Sequence, residues 1–404
     1  FAHGKYRDSL IKKLGIGFPK INKEGRTLIW IHAVSVGEAK AVASLAKALE
    51  KKYDNPLIII SSTTETGHAE AKRSIPCARF HLFLPFDFKW IIRPILKQVQ
   101  PDLVIVTETD FWYNFMREAR RQGAKVILVN GKLSQRSARR FRQFRFFTTK
   151  LFSNIDLLCL QSTHYVERFL SIGVLKENIV VTGNLKFDDF YPQSTKEEVN
   201  TWKEKMGIPL HAPVLVVGST HATEEEAILN ALQPVWSAFP SLKVVLVPRH
   251  PERFDEVAAL LKKQEISFSR LSTCHSTTGK EKVLLIDAMG LLRTCYQFAD
   301  IALVAGSYNP RIGGHNIIEP CCYGIPTLFG PHMHAQPELV DLVHTFKSGL
   351  QVTIEHLSST LIRLFKDAPT RHTMGAAGLQ LASFCKGATE KTSIAIDTAL
   401  MKNK

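Results

Sequence analysis

The stretch Leu28-Ile29-Trp30-Ile31-His32-Ala33-Val34-Ser35-Val36-Gly37-Glu38 passes from an unbroken apolar run through a turn of small residues into a helix-capable segment. An apolar run without alternation is what a strand covered on both faces requires, and the small residues let a helix start tightly near Glu38. The same rhythm recurs at residues 57–61, 80–84, 103–107, 126–130 and 157–160. It restarts at 214–217, 243–247, 283–286, 301–304 and 327–329. Short Val/Ile/Leu-rich runs separated by mixed segments are the mark of βαβ units, so two doubly wound α/β domains are expected. Residues 191–212 contain Pro192 and Pro209 with several charges and no strand pattern. The expected division is therefore an N-terminal domain at 1–190, a linker at 191–212 and a second domain at 213–404 that carries the terminal helices.

The chain has 404 residues, of which 45% are hydrophobic and 22% charged, a balance that excludes disordered and fibrous classes. Its net charge of +15 is unevenly placed. Residues 1–190 hold 31 Lys and Arg against 17 Asp and Glu, a net +14, whereas residues 191–404 hold 21 against 20. The first domain thus attracts anions: nucleic acid, anionic lipid or phosphorylated substrates. Seven scattered cysteines without C-x-x-C spacing point to a reducing compartment and no structural zinc. No run approaches the roughly 18 apolar residues of a spanning helix.

Ligands of open parallel sheets bind at the carboxyl ends of strands, so the residues after each run carry the functional expectation. Glu38 is a candidate general base, and equally a carboxylate favoured by the helix dipole. The hydroxyl-rich turn of residues 61–67 suits a sugar or phosphate, and equally an N-cap. Thr107-Glu108-Thr109-Asp110-Phe111-Trp112 puts two carboxylates and a Trp at one strand end. Residues 136–150, with five Arg, a Lys and four Phe, read as one helix with Phe141, Phe144 and Phe147 in a stripe. That helix either docks its stripe on the sheet or meets anionic headgroups, with RNA binding a third reading.

In the second domain, Gly218-Ser219-Thr220-His221 and Pro248-Arg249-His250-Pro251 follow the first two strands. Arg249 has the charge and fork geometry for a phosphate. Gly313-Gly314-His315-Asn316-Ile317-Ile318-Glu319 is expected to open a helix whose free N–H groups receive an anion, with Glu319 accepting from ribose hydroxyls. Three such loops at successive strand ends converge on a nucleotide site. No Walker A pattern and no G-x-G-x-x-G follows a first strand, which removes ATPase and dehydrogenase readings.

These pieces resemble the 3-deoxy-D-manno-octulosonic acid (Kdo) transferases of lipid A and lipopolysaccharide assembly. The matching motifs are SVGE at 35–38, ET-x-x-W-x-N at 108–114, N-x-x-LS at 130–134, GNLKFD at 183–188 and GSTH at 218–221. PRHPERF at 248–254, D-x-MG at 287–290 and GGHN-x-x-EP through GPH at 313–332 follow in order. The resemblance implies a GT-B enzyme, two Rossmann-like domains facing a central cleft, that transfers Kdo with inversion from CMP-Kdo to a lipid A precursor, lipid IVA. It implies Glu38 as the base, Glu108 and Lys186 as transition-state stabilisers, and CMP contacts at Pro248, Arg249, Met289, Gly290, Asn316, Ile317, Ile318 and Glu319. It also implies no metal or other cofactor, work at the cytoplasmic face of the inner membrane against anionic lipid, no nucleic-acid partner, and an N-terminal anchor ahead of Phe1.

The chain departs from the family pattern at Tyr113 (usually Pro), Asp110 (usually Glu), Gly131-Lys132 (usually Ala-Arg) and Leu291 (usually Glu). His334-Ala335-Gln336 stand where the family usually reads Asn-Phe. The acceptor-side changes bear on how many Kdo units are added. Two other readings remain open from sequence: a GT-B enzyme using another nucleotide sugar, and a nucleic-acid-binding protein using residues 136–150.

Overall fold

A computed structural model describes residues 7–188, 193–276 and 279–401. The expected boundary at 190/191 lies outside these residues. Contacts divide the chain into one unit of Phe1–Phe190 with Cys385–Lys404, and a second of Tyr191–Phe384.

The first unit begins α1 (Arg7–Lys13), β1 (Leu28–His32), α2 (Val36–Lys52), β2 (Leu57–Ser62), α3 (Glu65–Ser74), β3 (Phe80–Phe83) and α4 (Lys89–Val99). It continues β4 (Leu103–Thr107), α5 (Tyr113–Arg121), β5 (Lys125–Gly131), α6 (Gln135–Gln143), α7 (Arg145–Phe152), β6 (Leu157–Leu160), α8 (Val166–Ser171) and β7 (Ile179–Val181). Its strands are all parallel, in the order β3-β2-β1-β4-β5-β6-β7. The unbroken apolar runs have their reason here. Leu28 and Trp30 pack into a core on one face of the sheet, whereas Ile29 and Ile31 pack into a second core on the other.

The second unit repeats the plan with α9 (Lys196–Lys205), β8 (Val214–Thr220), α10 (Glu224–Ala238), β9 (Lys243–Pro248), α11 (Phe254–Lys263), β10 (Phe268–Arg270) and β11 (Val283–Leu285). Then come α12 (Leu292–Tyr296), β12 (Ile301–Val304), β13 (Thr327–Phe329), α13 (Pro337–Phe346), β14 (Gly349–Gln351), α14 (Ile354–Lys366) and α15 (Ala368–Cys385). The parallel order is β10-β11-β9-β8-β12-β13-β14. Strand order therefore reverses beside β1 in one unit and beside β8 in the other, and these reversals are where such sheets bind ligands.

Several expectations are corrected. The last helix, α16 (Ala388–Met401), packs on the first unit rather than the second: Ala388 and Ile396 are buried in the core that holds Ile29 and Leu45. Tyr53 Oη donates to Asp397 at 2.7 Å, and the Gly387 N–H donates to Asp188 at 2.7 Å. The expected linker contains α9, closed by a capping box between Thr195 and Glu198. Strands β7, β10 and β14 went unforeseen because each has three residues and only one or no fully buried side chain, too little for an apolar run.

Candidate functional site

In the first unit, Ser35 caps α2 and places Glu38 in its first turn at the β1/β4 reversal. Serine at the cap with Glu three residues on is the capping-box spacing, and the side chains do meet: Ser35 Oγ donates to Glu38 Oε1 at 2.9 Å. Glu38 Oε2 accepts the Val34 N–H at 2.8 Å and the Thr107 hydroxyl, from the end of β4, at 2.7 Å. The carboxylate is 9% exposed and held on both oxygens. Thr64 accepts the Gly67 N–H and donates to the Val34 carbonyl, so the hydroxyl-rich turn acts as a cap that braces this loop. A Cβ at Gly67 would lie 2.6 Å from the Val34 oxygen, which is why glycine stands there.

Glu108 follows β4 with a left-handed backbone, φ +53°. Its Oε1 takes Lys186 Nζ at 2.6 Å and its Oε2 takes Lys132 Nζ at 2.6 Å. Burial works against the charge, but Lys186 and Lys132 outweigh it and hold the carboxyl below the usual carboxylate range. Asn130, also left-handed at φ +54°, donates to Glu108 at 3.4 Å and accepts the Leu185 N–H at 3.0 Å, which sets the turn carrying Lys186. Asp110 behaves oppositely. Burial, then the neighbouring Glu38 to which it hydrogen-bonds, pushes its carboxyl up to about 8.

The structure thus brings Glu38, Glu108 and Lys186 together through β1, β4, β5 and the turn after β7. Thr107, Lys132 and Asn130 had not been singled out as site residues. Their signals in the sequence are the position of Thr107 and Asn130 at the ends of apolar runs and, for Asn130 and Lys132, the N-x-x-LS motif at 130–134.

Residues 136–150 do not form one helix. The chain breaks at Phe144 (φ −107°, ψ 43°) between α6 and α7. Phe141 turns inward against Phe111 and Phe152, at 5.9 and 5.6 Å between ring centroids, while Phe144, Phe146 and Phe147 are exposed. Phe88 and Trp90 are also exposed, stacked at 4.7 Å. The Asn114 N–H donates to Asp87 at 2.9 Å and Tyr113 lies 5.6 Å from Phe147, so the two aromatic groups flank the start of α5.

In the second unit the loops after β8, β9 and β12 meet. Glu224, at the start of α10, accepts N–H groups from His221 (2.9 Å) and Gly306 (2.6 Å) and clamps two of them together. Burial raises its carboxyl to about 7 even though backbone N–H groups favour the charge. The Arg249 N–H donates to the Thr220 carbonyl at 3.0 Å, and the exposed guanidinium stands beside His221 and His315. Pro248 ends β9, buried.

The helix expected after Gly313-Gly314 is a single 3-10 turn, Pro320–Tyr323, preceded by open chain. Gly314, at φ +88°, and Pro320, which lacks an N–H, prevent an earlier helical start. Asn316 instead caps its own loop by accepting the Ile318 N–H at 3.0 Å. Ile317 and Ile318 are buried side chains, so only their backbone can meet a ligand. Glu319 lies 3.8 Å from Arg293. Met289 is exposed beside Gly290, which has a left-handed φ of +87°.

Residues 9–189 match the family model for 3-deoxy-D-manno-octulosonic-acid transferase. The transferase of that name from Chlamydophila psittaci is 37% identical over 352 residues, 86% of this chain and 79% of its own. The one from Haemophilus influenzae is 32% identical over 369 residues, 90% of this chain and 85% of its own. A glycosyltransferase structure from Rickettsia africae superposes with a TM-score of 0.68 at 15% identity, covering 94% of this chain and all of that one, a likeness of fold. The chain belongs to the 3-deoxy-D-manno-octulosonic acid (Kdo) transferase family and has the GT-B glycosyltransferase fold.

Proposed function

We propose that the protein transfers Kdo from CMP-Kdo to the lipid A precursor lipid IVA with inversion at the anomeric carbon. The observation that carries this reading is Glu38, buried at the strand-order reversal beside the Glu108–Lys186 pair. A carboxylate has about four acceptor directions. Val34, Ser35 and Thr107 fill three, leaving the fourth to be contested between Asp110 and an incoming hydroxyl. Displacing Asp110, the acceptor hydroxyl gives its proton to Glu38 while its oxygen attacks the anomeric carbon. The bond to phosphate breaks on the opposite face, and CMP departs with the electron pair.

The second unit's loops supply the donor cradle. Arg249 pairs with the phosphate, Asn316–Glu319 offer backbone groups and the Glu319 carboxylate, and Met289 and Gly290 border the nucleoside. Glu108 with Lys186 and Lys132 forms a preorganised charge group beside the base, aimed at charge that develops in the transition state. This chemistry draws on side chains and backbone alone, with no metal or organic cofactor.

The exposed pairs Phe88/Trp90 and Phe146/Phe147, with Arg139, Arg142, Arg145 and Lys150 near them, suit the headgroup boundary of an anionic bilayer. They lie on the loop and helices that follow β3 and β5, and Phe147 meets Tyr113 at the start of α5, beyond the end of β4 and so toward the end of the sheet that carries Glu38. Such a surface would hold the protein at the cytoplasmic face of the inner membrane, where an acylated acceptor keeps its chains in lipid while its sugar hydroxyl reaches Glu38. No helix among the described residues is long and apolar enough to cross a membrane.

One incubation tests the reading: the protein with CMP-Kdo and a tetraacylated, bisphosphorylated glucosamine disaccharide, followed by mass spectrometry. The expected product gains one or more Kdo residues. An unchanged acceptor under conditions where CMP binds would overturn the acceptor assignment. Thermal shifts with CMP against UDP test the base of the donor.

A further inference from the structure

His221, His250 and His315 come from three different loops, yet their rings touch. His221 and His315 stack at 5.0 Å between centroids with their Nε2 atoms 2.7 Å apart, and His250 meets His221 edge-on at 5.3 Å. At 2.7 Å one Nε2 must carry a hydrogen and the other a lone pair, so the two rings are in opposite tautomers and share one hydrogen bond. Among the described residues no group of three or more His, Cys, Asp or Glu is arranged to hold a metal ion.

The surroundings are cationic. Burial first, then His250, Arg249 and Arg253, lowers the His221 imidazolium's stability, and the same kinds of neighbour take His315 down to about 4. The nearby acids are committed elsewhere. Glu224 accepts the backbone N–H groups of His221, Gly306 and Tyr308. Glu225 pairs with Arg253 and accepts from Thr220, and Glu256 also pairs with Arg253. His334 lies against Gly313. An imidazole pair in which His221 is buried and His315 half-buried, set beside Arg249 and Arg253 with the nearby acids paired elsewhere, is suited to receive an anion.

We propose that the His221–His315 pair is a proton-responsive positioning element for the donor phosphate, taking up one proton from solvent as the departing CMP gains its second negative charge. This rests on the donor reading above. In CMP-Kdo the phosphate is a diester with one charge; once the sugar bond breaks it is a monoester, whose second ionisation lies near pH ~6. The added charge beside the rings reverses what burial and the cations impose. Protonation puts N–H on both outer Nδ1 atoms and turns the shared Nε2 contact into a charge-assisted bond. The pair therefore favours the leaving phosphate over the intact donor, the differential that accelerates a reaction.

The test is calorimetric titration of the full chain with CMP at pH 7.5 in two buffers of different ionisation enthalpy. The expected result is uptake approaching one proton per CMP bound, and an affinity that strengthens toward lower pH by up to about tenfold per unit until CMP itself protonates. Cytidine, which has no phosphate, binds without uptake. H221Q and H315Q keep the ring volume roughly but cannot carry the charge. Each should bind CMP with no uptake and a flat profile from pH 7 to 8.5. Buffer-independent heats for wild-type CMP binding overturn the inference while leaving the donor reading intact. Uptake that survives both His variants and vanishes in E224Q assigns the proton to Glu224 and also overturns it. Failure of CMP to bind at all overturns the donor reading and this inference together. Should a His variant not fold, wild-type uptake set against E224Q decides: uptake kept in E224Q supports the pair, and uptake lost there overturns the inference.

Discussion

Lys186 Nζ sits 2.6 Å from Glu108 Oε1 although 78 residues of chain separate them. The contact exists because Asn130, on the strand between, grips Glu108 with its amide N–H and the Leu185 backbone with its amide oxygen. One side chain thereby orients both halves of an ion pair. Replacing it tests the arrangement without removing a charge. N130A should lower kcat by at least tenfold while leaving CMP affinity within about twofold, since a misplaced electrostatic group is felt in the transition state. Steady-state kinetics with CMP titration would check this.

Removing Glu38 should separate chemistry from donor binding. E38A is expected to lose transfer by a factor of about 10²–10⁴, the usual scale of general-base catalysis, with CMP binding still measurable. Normal turnover in E38A would remove Glu38 as the base. Loss of the capping interaction should also cost about 1 kcal/mol of stability, which E38Q should largely restore without restoring activity.

Asp110 sets a pH dependence with a definite sign. Its folded carboxyl is pushed up to about 8, well above an ordinary aspartate. The unfolded chain therefore loses its proton first, and stability falls as pH rises from about 4 toward 8. D110N abolishes this contribution. Melting temperatures of D110N relative to the parent should rise between pH 5 and pH 8 and level off above. Glu108 has the reverse sign: its depressed carboxyl adds stability above the ordinary glutamate range, lost on acidification through the lowered folded value.

At Arg249 the fork of the guanidinium, not merely its charge, should matter. R249A is expected to weaken CMP binding by about 1.5–3 kcal/mol, and R249K to restore only part of it, because a lysine cannot make paired bonds to a phosphate. Cytidine affinity should hardly change. Calorimetry on the three forms would read this directly.

Trp90 and Phe146, each more than 70% exposed, should partition into lipid. W90S and F146S are each expected to weaken binding to vesicles containing anionic phospholipid by about tenfold, roughly the value of burying half or more of an aromatic ring. Binding of the parent should fall as salt rises. Cosedimentation that is unchanged in both variants would take these residues off the membrane surface.

Features that depend on neighbours along the chain are legible in the amino-acid sequence. Unbroken runs such as Leu28–His32 mark strands buried on both faces, their spacing marks two parallel doubly wound sheets, and the surplus of cations belongs to residues 1–190. Glu38, Glu108 and Arg249 were visible because strand ends are visible. Tertiary structure decided what depends on which strand lies beside which. Lys132 joins Lys186 on Glu108 because β4 and β5 are neighbours, and His221 meets His315 across 94 residues because β8 pairs with β12. It also turned Phe141 inward at the break after α6 and laid α16 on the first unit's sheet. Periodicity reports only whether a residue will be buried; the partner it finds there is set by strand order and loop closure, which no local pattern encodes.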